Sequence, residues 1–121
     1  MKSITTIISL CFSMAANASI YFCQDTASNK IDRFGASYEN NGRPSFNTQH
    51  WIVDTEKGWR RSDISDYTGS CEIENGYTVC KTGTNYGEAT FSIHPDDSNF
   101  ILIYLDYGID ALIFIGKCTK N

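Results

Sequence analysis

The side chains that could do chemistry are few: His50 beside Trp51, His94 before Pro95, a scatter of carboxylates, five cysteines and the run Trp59-Arg60-Arg61. An imidazole titrates near neutral pH and can serve as a base or a metal ligand. His94, however, falls on the polar side of an alternating stretch at a turn, where solvation alone accounts for it. His50 opens a stretch that runs on through Trp51, Ile52 and Val53, and reads as a rim residue. Carboxylates run from Asp54 and Glu56 to Asp106 and Asp110. No spacing among them singles out the pair that glycoside hydrolysis needs. Asp54-x-Glu56-x-Gly58 lacks the remaining ligands of a calcium loop. Gly35-Ala36-Ser37-Tyr38-Glu39 lacks the second glycine of a serine-hydrolase elbow. No catalytic residue, metal ligand or cofactor is therefore assigned.

Binding chemistry is better represented. A planar cation next to an indole is typical of interface hot spots. Trp59, Arg60 and Arg61, with His50, Trp51 and Tyr107, make up the candidate binding surface.

The cysteines point to structure instead. Cys11 lies in an N-terminal segment with the three parts of an export signal: Lys2, an apolar core over residues 4–14, and the small-x-small site Ala16-Asn17-Ala18. Residues 1–18 are thus expected to be a signal peptide and residues 19–121 a single secreted or periplasmic domain. The apolar core is too short to span a bilayer, so no membrane anchor is expected. Four cysteines remain, an even number that reads as two disulfides in an exported chain. Asn75-Gly76 is a strong two-residue hairpin signal, because both central positions require positive φ. Counting outward pairs Glu74 with Tyr77, Ile73 with Thr78, Glu72 with Val79 and Cys71 with Cys80. Cys23 and Cys118 are left to bond to each other.

These bridges need strands to carry them. No segment holds apolar residues at helical spacing over more than a turn or two, whereas short alternating stretches are separated by Gly, Asn, Asp and Pro. Strands are expected over residues 20–24, 31–38, 46–54, 58–61, 67–74, 77–81, 88–94, 100–106 and 110–118. The pattern predicts an all-β fold, a single antiparallel β-barrel or sandwich of about eight strands with two disulfides. The last two strands, joined by a Gly108-Ile109 turn, would pair Leu105 with Leu112, Ile103 with Phe114 and Leu102 with Ile115. Both faces of that hairpin are apolar, so one builds the core and the other needs a cover.

Charge narrows the partners. The chain carries ten Lys and Arg against fourteen Asp and Glu, a net charge of -4. Loss of Lys2 with the signal would leave nine against fourteen, or -5. A nucleic-acid binder needs a basic patch that this chain does not offer. The expectation is a secreted or periplasmic binding module, inhibitor-like or adaptor-like, with a protein as its partner and a small apolar ligand as the other candidate occupant. Two alternatives belong to other classes: a small envelope-polymer hydrolase using carboxylates with His50 or His94, and an envelope component that self-associates through the C-terminal hairpin.

Overall fold

Alternation of apolar and polar residues is realised as nine strands in a computed structural model that describes residues 18–41, 48–85, 87–108 and 110–121. Residues 1–17 of the expected signal, Gly42 of the first expected turn, Phe46 and Asn47 of an expected strand, Tyr86 and Ile109 lie outside the described residues. The strands are β1 (Ile20–Asp32), β2 (Ser37–Asn41), β3 (His50–Asp54), β4 (Gly58–Arg61), β5 (Ser70–Glu74), β6 (Tyr77–Gly83), β7 (Gly87–Ile93), β8 (Asn99–Asp106) and β9 (Asp110–Lys120). Eight of them form one antiparallel sheet in the order β4-β3-β1-β9-β8-β7-β6-β5, and β2 pairs with β1 beside that path. The sheet curls until its two ends meet at a single bridge. There the Trp59 N–H donates to the Thr68 carbonyl, and the Thr68 N–H to the Trp59 carbonyl, each at 2.9 Å. The fold is a nearly closed β-barrel.

One long strand makes the curl possible. The lower half of β1 pairs with β3, its upper half with β2, and its other edge with β9 along nearly its whole length. The register of β1 with β9 shifts between Asp25 and Ala27, a bulge of the kind that bends a strand and increases its twist. Gly116 lies opposite the bulge, and a Cβ there would run into the Gln24 carbonyl. Close backbone approach is what a glycine in a strand permits.

Both disulfides form as expected, Cys71 to Cys80 and Cys23 to Cys118. The β5–β6 register is the one counted from the turn, and Asn75 and Gly76 take φ of 53° and 86°. Two expectations need correction. The strand expected over residues 31–38 is interrupted, because the Asp32 carboxylate accepts the N–H groups of Phe34 and Ala36 and closes an Asx turn. The last hairpin is one residue out of the expected register. Asp106 pairs with Asp110, so that Leu105 opposes Ala111, Ile103 opposes Ile113 and Leu102 opposes Phe114. Its loop is three residues long, centred on Gly108 at φ 79°. A slip of one residue exchanges the faces of a strand, and the observed register is the one that turns Phe114 and Cys118 to the same side as Leu102.

With faces set, the interior divides into rows. The lower row runs Thr78, Ile93, Phe100, Gly116 and Asp25 across five strands, and the middle row Cys80, Phe91, Leu102, Phe114 and Ser28. Phe91 stacks on Phe100 at 5.0 Å, and Trp51 meets both rings edge-on. Together with Val53 and the two bridges these side chains fill the lower half of the barrel. On chain-entropy grounds, opening the Cys23–Cys118 loop costs about 4.7 kcal/mol and opening the Cys71–Cys80 loop about 2.7 kcal/mol. Replacing Cys23 and Cys118 by Ala should therefore lower the denaturation midpoint more than replacing Cys71 and Cys80. Chemical denaturation of the two double variants measures the difference.

Candidate functional site

Above the packed half the wall residues become small. The upper row runs Thr82, Ala89, Tyr104, Leu112 and Lys30. Thr82 and Ala89 occupy little of the volume that a core side chain would fill, and the barrel is left hollow there. The result is a cup of about 700 Å³ at the end lined by Ile64 and Asp66 of the 62–67 connection and by Asp106 at the close of β8. Trp51, Trp59, Tyr104 and Phe114 give it aromatic walls. Phe114 lies 5.0 Å from Trp51 at 62°, Tyr104 lies 6.0 Å from Phe114 at 85°, and Trp59 lies 5.8 Å from Tyr104 at 56°. Such steep angles hold the rings as adjoining walls.

Polar groups sit in fixed places around this surface. The Trp59 indole N–H donates to the Thr82 hydroxyl at 3.1 Å, which ties β4 to β6 across the seam. Arg61 grips Asp63 through Nε and a terminal nitrogen, at 2.9 and 2.6 Å. That pairing holds the Asp63 carboxyl below its ordinary range. Arg60 lies over the Tyr67 ring at 5.1 Å and donates to the Ile64 carbonyl at 2.8 Å, folding the 62–67 connection against the mouth. Burial pushes the Tyr104 hydroxyl pKa up, with the Trp51 indole and the Arg61 charge acting the other way.

The candidate surface read from the sequence is distributed differently. Residues 51, 53, 59 and 61 share one parity across β3 and β4. Trp51 and Trp59 consequently turn inward, Trp59 being only 3% exposed. Arg61 stands at the mouth, whereas Arg60 reaches it from the outer side. The flat cationic aromatic surface expected at Trp59-Arg60-Arg61 is thus a wall with two tethered cations above it. His50 is exposed on the outer wall, in a groove of about 620 Å³ with Phe22, Gln24, Ile52 and Lys117. Tyr107 lies beside the β8–β9 connection and donates to Glu88 at 3.2 Å. His94 occupies the opposite end of the barrel, where it accepts the Asp96 N–H at 3.1 Å. Among the described residues no group of three or more His, Cys, Asp or Glu is placed to hold a metal ion.

The outer face of the β8–β9 hairpin is uncovered among the described residues. Ile101, Ile103, Leu105, Ile113 and Ile115 form a strip on it, each 37 to 49% exposed. Ile101 faces Ile115 and Ile103 faces Ile113 across the two strands.

Sequence reasoning missed Tyr104, Phe114, Leu112, Thr82 and, most clearly, Asp25. Counting in twos from Cys23 would have placed Asp25 inside. It is 2% exposed, with one carboxylate oxygen accepting the Gln49 N–H at 2.8 Å and the other without a hydrogen-bond partner among the described residues. Compared with known protein families, with curated proteins and with solved structures, this chain finds no match.

Burial raises the Asp25 carboxyl above its ordinary range, against the pull of the Gln49 and Asp25 N–H groups and of His50. A carboxyl raised on folding costs nothing below its unfolded value of about 3.9. It costs progressively more as pH rises through the interval to its folded value. Asp25→Asn should accordingly raise the melting temperature at pH 7, with the gain fading as the pH is lowered to about 4. Melting curves of both proteins across that range check the sign.

Proposed function

We propose that this protein is an exported binding module that holds a small apolar or amphipathic ligand in the cup of its barrel. The observation that carries the reading is a cavity of about 700 Å³ walled by four aromatic rings, above a half of the barrel that is already packed. The volume lies within the range of small-molecule sites, about 300 to 1,000 Å³. An apolar hollow of this size gives up contacts that larger core side chains would make. A bound molecule restores them. Export is supported by the segment before residue 19 and by two disulfides, which persist in oxidising compartments. The hydrolase alternative finds less support, since His50 faces outward, His94 sits at the far end of the barrel and the buried Asp25 faces inward.

The self-association expected from the sequence as an alternative has its own supporting observation, the outer strip of Ile101, Ile103, Leu105, Ile113 and Ile115. On either side the strip is bordered by the uncharged Thr90, Ser92, Ala27 and Asn29, and at Leu105 by Glu88. A second copy could lie on Ile101, Ile103, Ile113 and Ile115, where the flanking residues carry no charge, despite the net negative charge of the chain. In this second reading the protein self-associates through the hairpin. Light scattering should then show mass rising with concentration, and Ile103→Lys should abolish the rise; a constant monomer mass removes the reading.

The cup is tested by filling it. N-phenyl-1-naphthylamine should bind saturably at one site per chain. Ala89→Leu and Leu112→Trp should each weaken its binding at least tenfold while leaving the melting temperature level or higher. Unchanged affinity in both variants would place the probe elsewhere and refute the cup.

A further inference from the structure

Among the rings that wall the cup stands one phenol, Tyr104, and the Thr82 hydroxyl of the same row already accepts the Trp59 indole N–H. The Tyr104 ring is fixed between Trp59 and Phe114 at 5.8 and 6.0 Å, so the oxygen has little freedom to move. The Trp51 indole N–H is buried and does not reach hydrogen-bond geometry with any group among the described residues. It lies toward the Tyr104 oxygen, where it favours the ionised form. The acceptor side of that hydroxyl is therefore already approached by a donor from the protein. Its own proton is the group left over. Tyr104 lines the cup, and an acceptor placed there would take that proton in a hydrogen bond.

Charge decides the form of that acceptor. At the mouth, Arg61 is held by Asp63 and Arg60 by the Ile64 carbonyl and the Tyr67 ring. Asp66, Glu88 and Asp106 line the same opening. These three carboxylates, with Asp63 on Arg61, outnumber the two guanidiniums, so the opening does not favour an anion. The wall geometry decides the body, because rings set at 56° to 85° to one another offer flat and edge-on contacts to another ring.

We propose that the occupant is a flat, uncharged aromatic molecule bearing one hydrogen-bond acceptor, such as a ketone or amide carbonyl, that the Tyr104 O–H binds at the wall of the cup. This rests on the reading of the cup as a ligand site and goes further by naming the ligand's chemistry. The geometry assigns three parts: Trp59 and Phe114 contact the ring system, Tyr104 donates to the acceptor, and the acidic mouth rejects carboxylates.

Three naphthalenes of nearly equal shape separate these elements by calorimetry or tryptophan quenching: 2-acetonaphthone, 2-isopropenylnaphthalene, which lacks the acceptor, and 2-naphthoate, which is charged. The ketone should bind about three- to tenfold more tightly than the alkene, the effect of one neutral hydrogen bond. The naphthoate should bind more weakly than the ketone. Tyr104→Phe keeps the ring and its packing, and should abolish the ketone's advantage while leaving alkene affinity unchanged. A ratio that persists in Tyr104→Phe, or naphthoate binding more tightly than the ketone, overturns the assignment while the cup still stands as a site. If none of the three binds saturably, the cup reading falls and this inference with it.

Discussion

A disulfide between neighbouring strands fixes more than two sulfur atoms. It requires both strands to turn the same parity inward at one level, and in this protein the Cys23–Cys118 bridge does so for β1 and β9. From Cys118 the alternation brings Gly116, Phe114 and Leu112 inside. From Cys23 it brings Tyr21 and Asp25 inside. Every strand registered against these two then inherits its facing: Phe100, Leu102 and Tyr104 on β8, and Ala89, Phe91 and Ile93 on β7. The cup and the outer aliphatic strip are two results of the same parity, one on each side of the wall.

Much of the fold was legible in the sequence for this reason. Asn75-Gly76 specified a local register that long-range packing had no cause to alter, and the strand over residues 88–94 announced its dry side through Ala89, Phe91 and Ile93. The final hairpin was less legible because Gly108 fits loops of two or three residues equally well. Local turn chemistry could not choose between them. Parity could, since only the three-residue loop places Phe114 and Cys118 on the same face as Leu102. The turn at Asp32 was hidden for a related reason: a carboxylate that caps two backbone N–H groups looks, in sequence, like any polar strand residue.

The site was only partly visible. Trp59, Arg60 and Arg61 drew attention through their residue types, but residue type does not reveal which way a side chain faces. Adjacent residues on a strand face opposite sides, so no run of three can make one continuous wall. Tyr104, Thr82 and Ala89 carry no signature at all. Their importance comes from what lies across the barrel, and a hollow is a property of several small residues meeting at one level. It arises here because Thr82 and Ala89 stand where the row beneath places a bridged cysteine and Phe91.

The same bridge has a mechanical side. Cys23 and Cys118 lie close to the first and last residues of the sheet, Ile20 and Lys120, on strands that are direct neighbours. Tension applied through the two ends passes from one sulfur to the other and bypasses the 95 residues of sequence separation between them. A pull that would unzip a barrel held only by hydrogen bonds thus meets a covalent link after the first few residues. The interior, hollow included, carries none of the load.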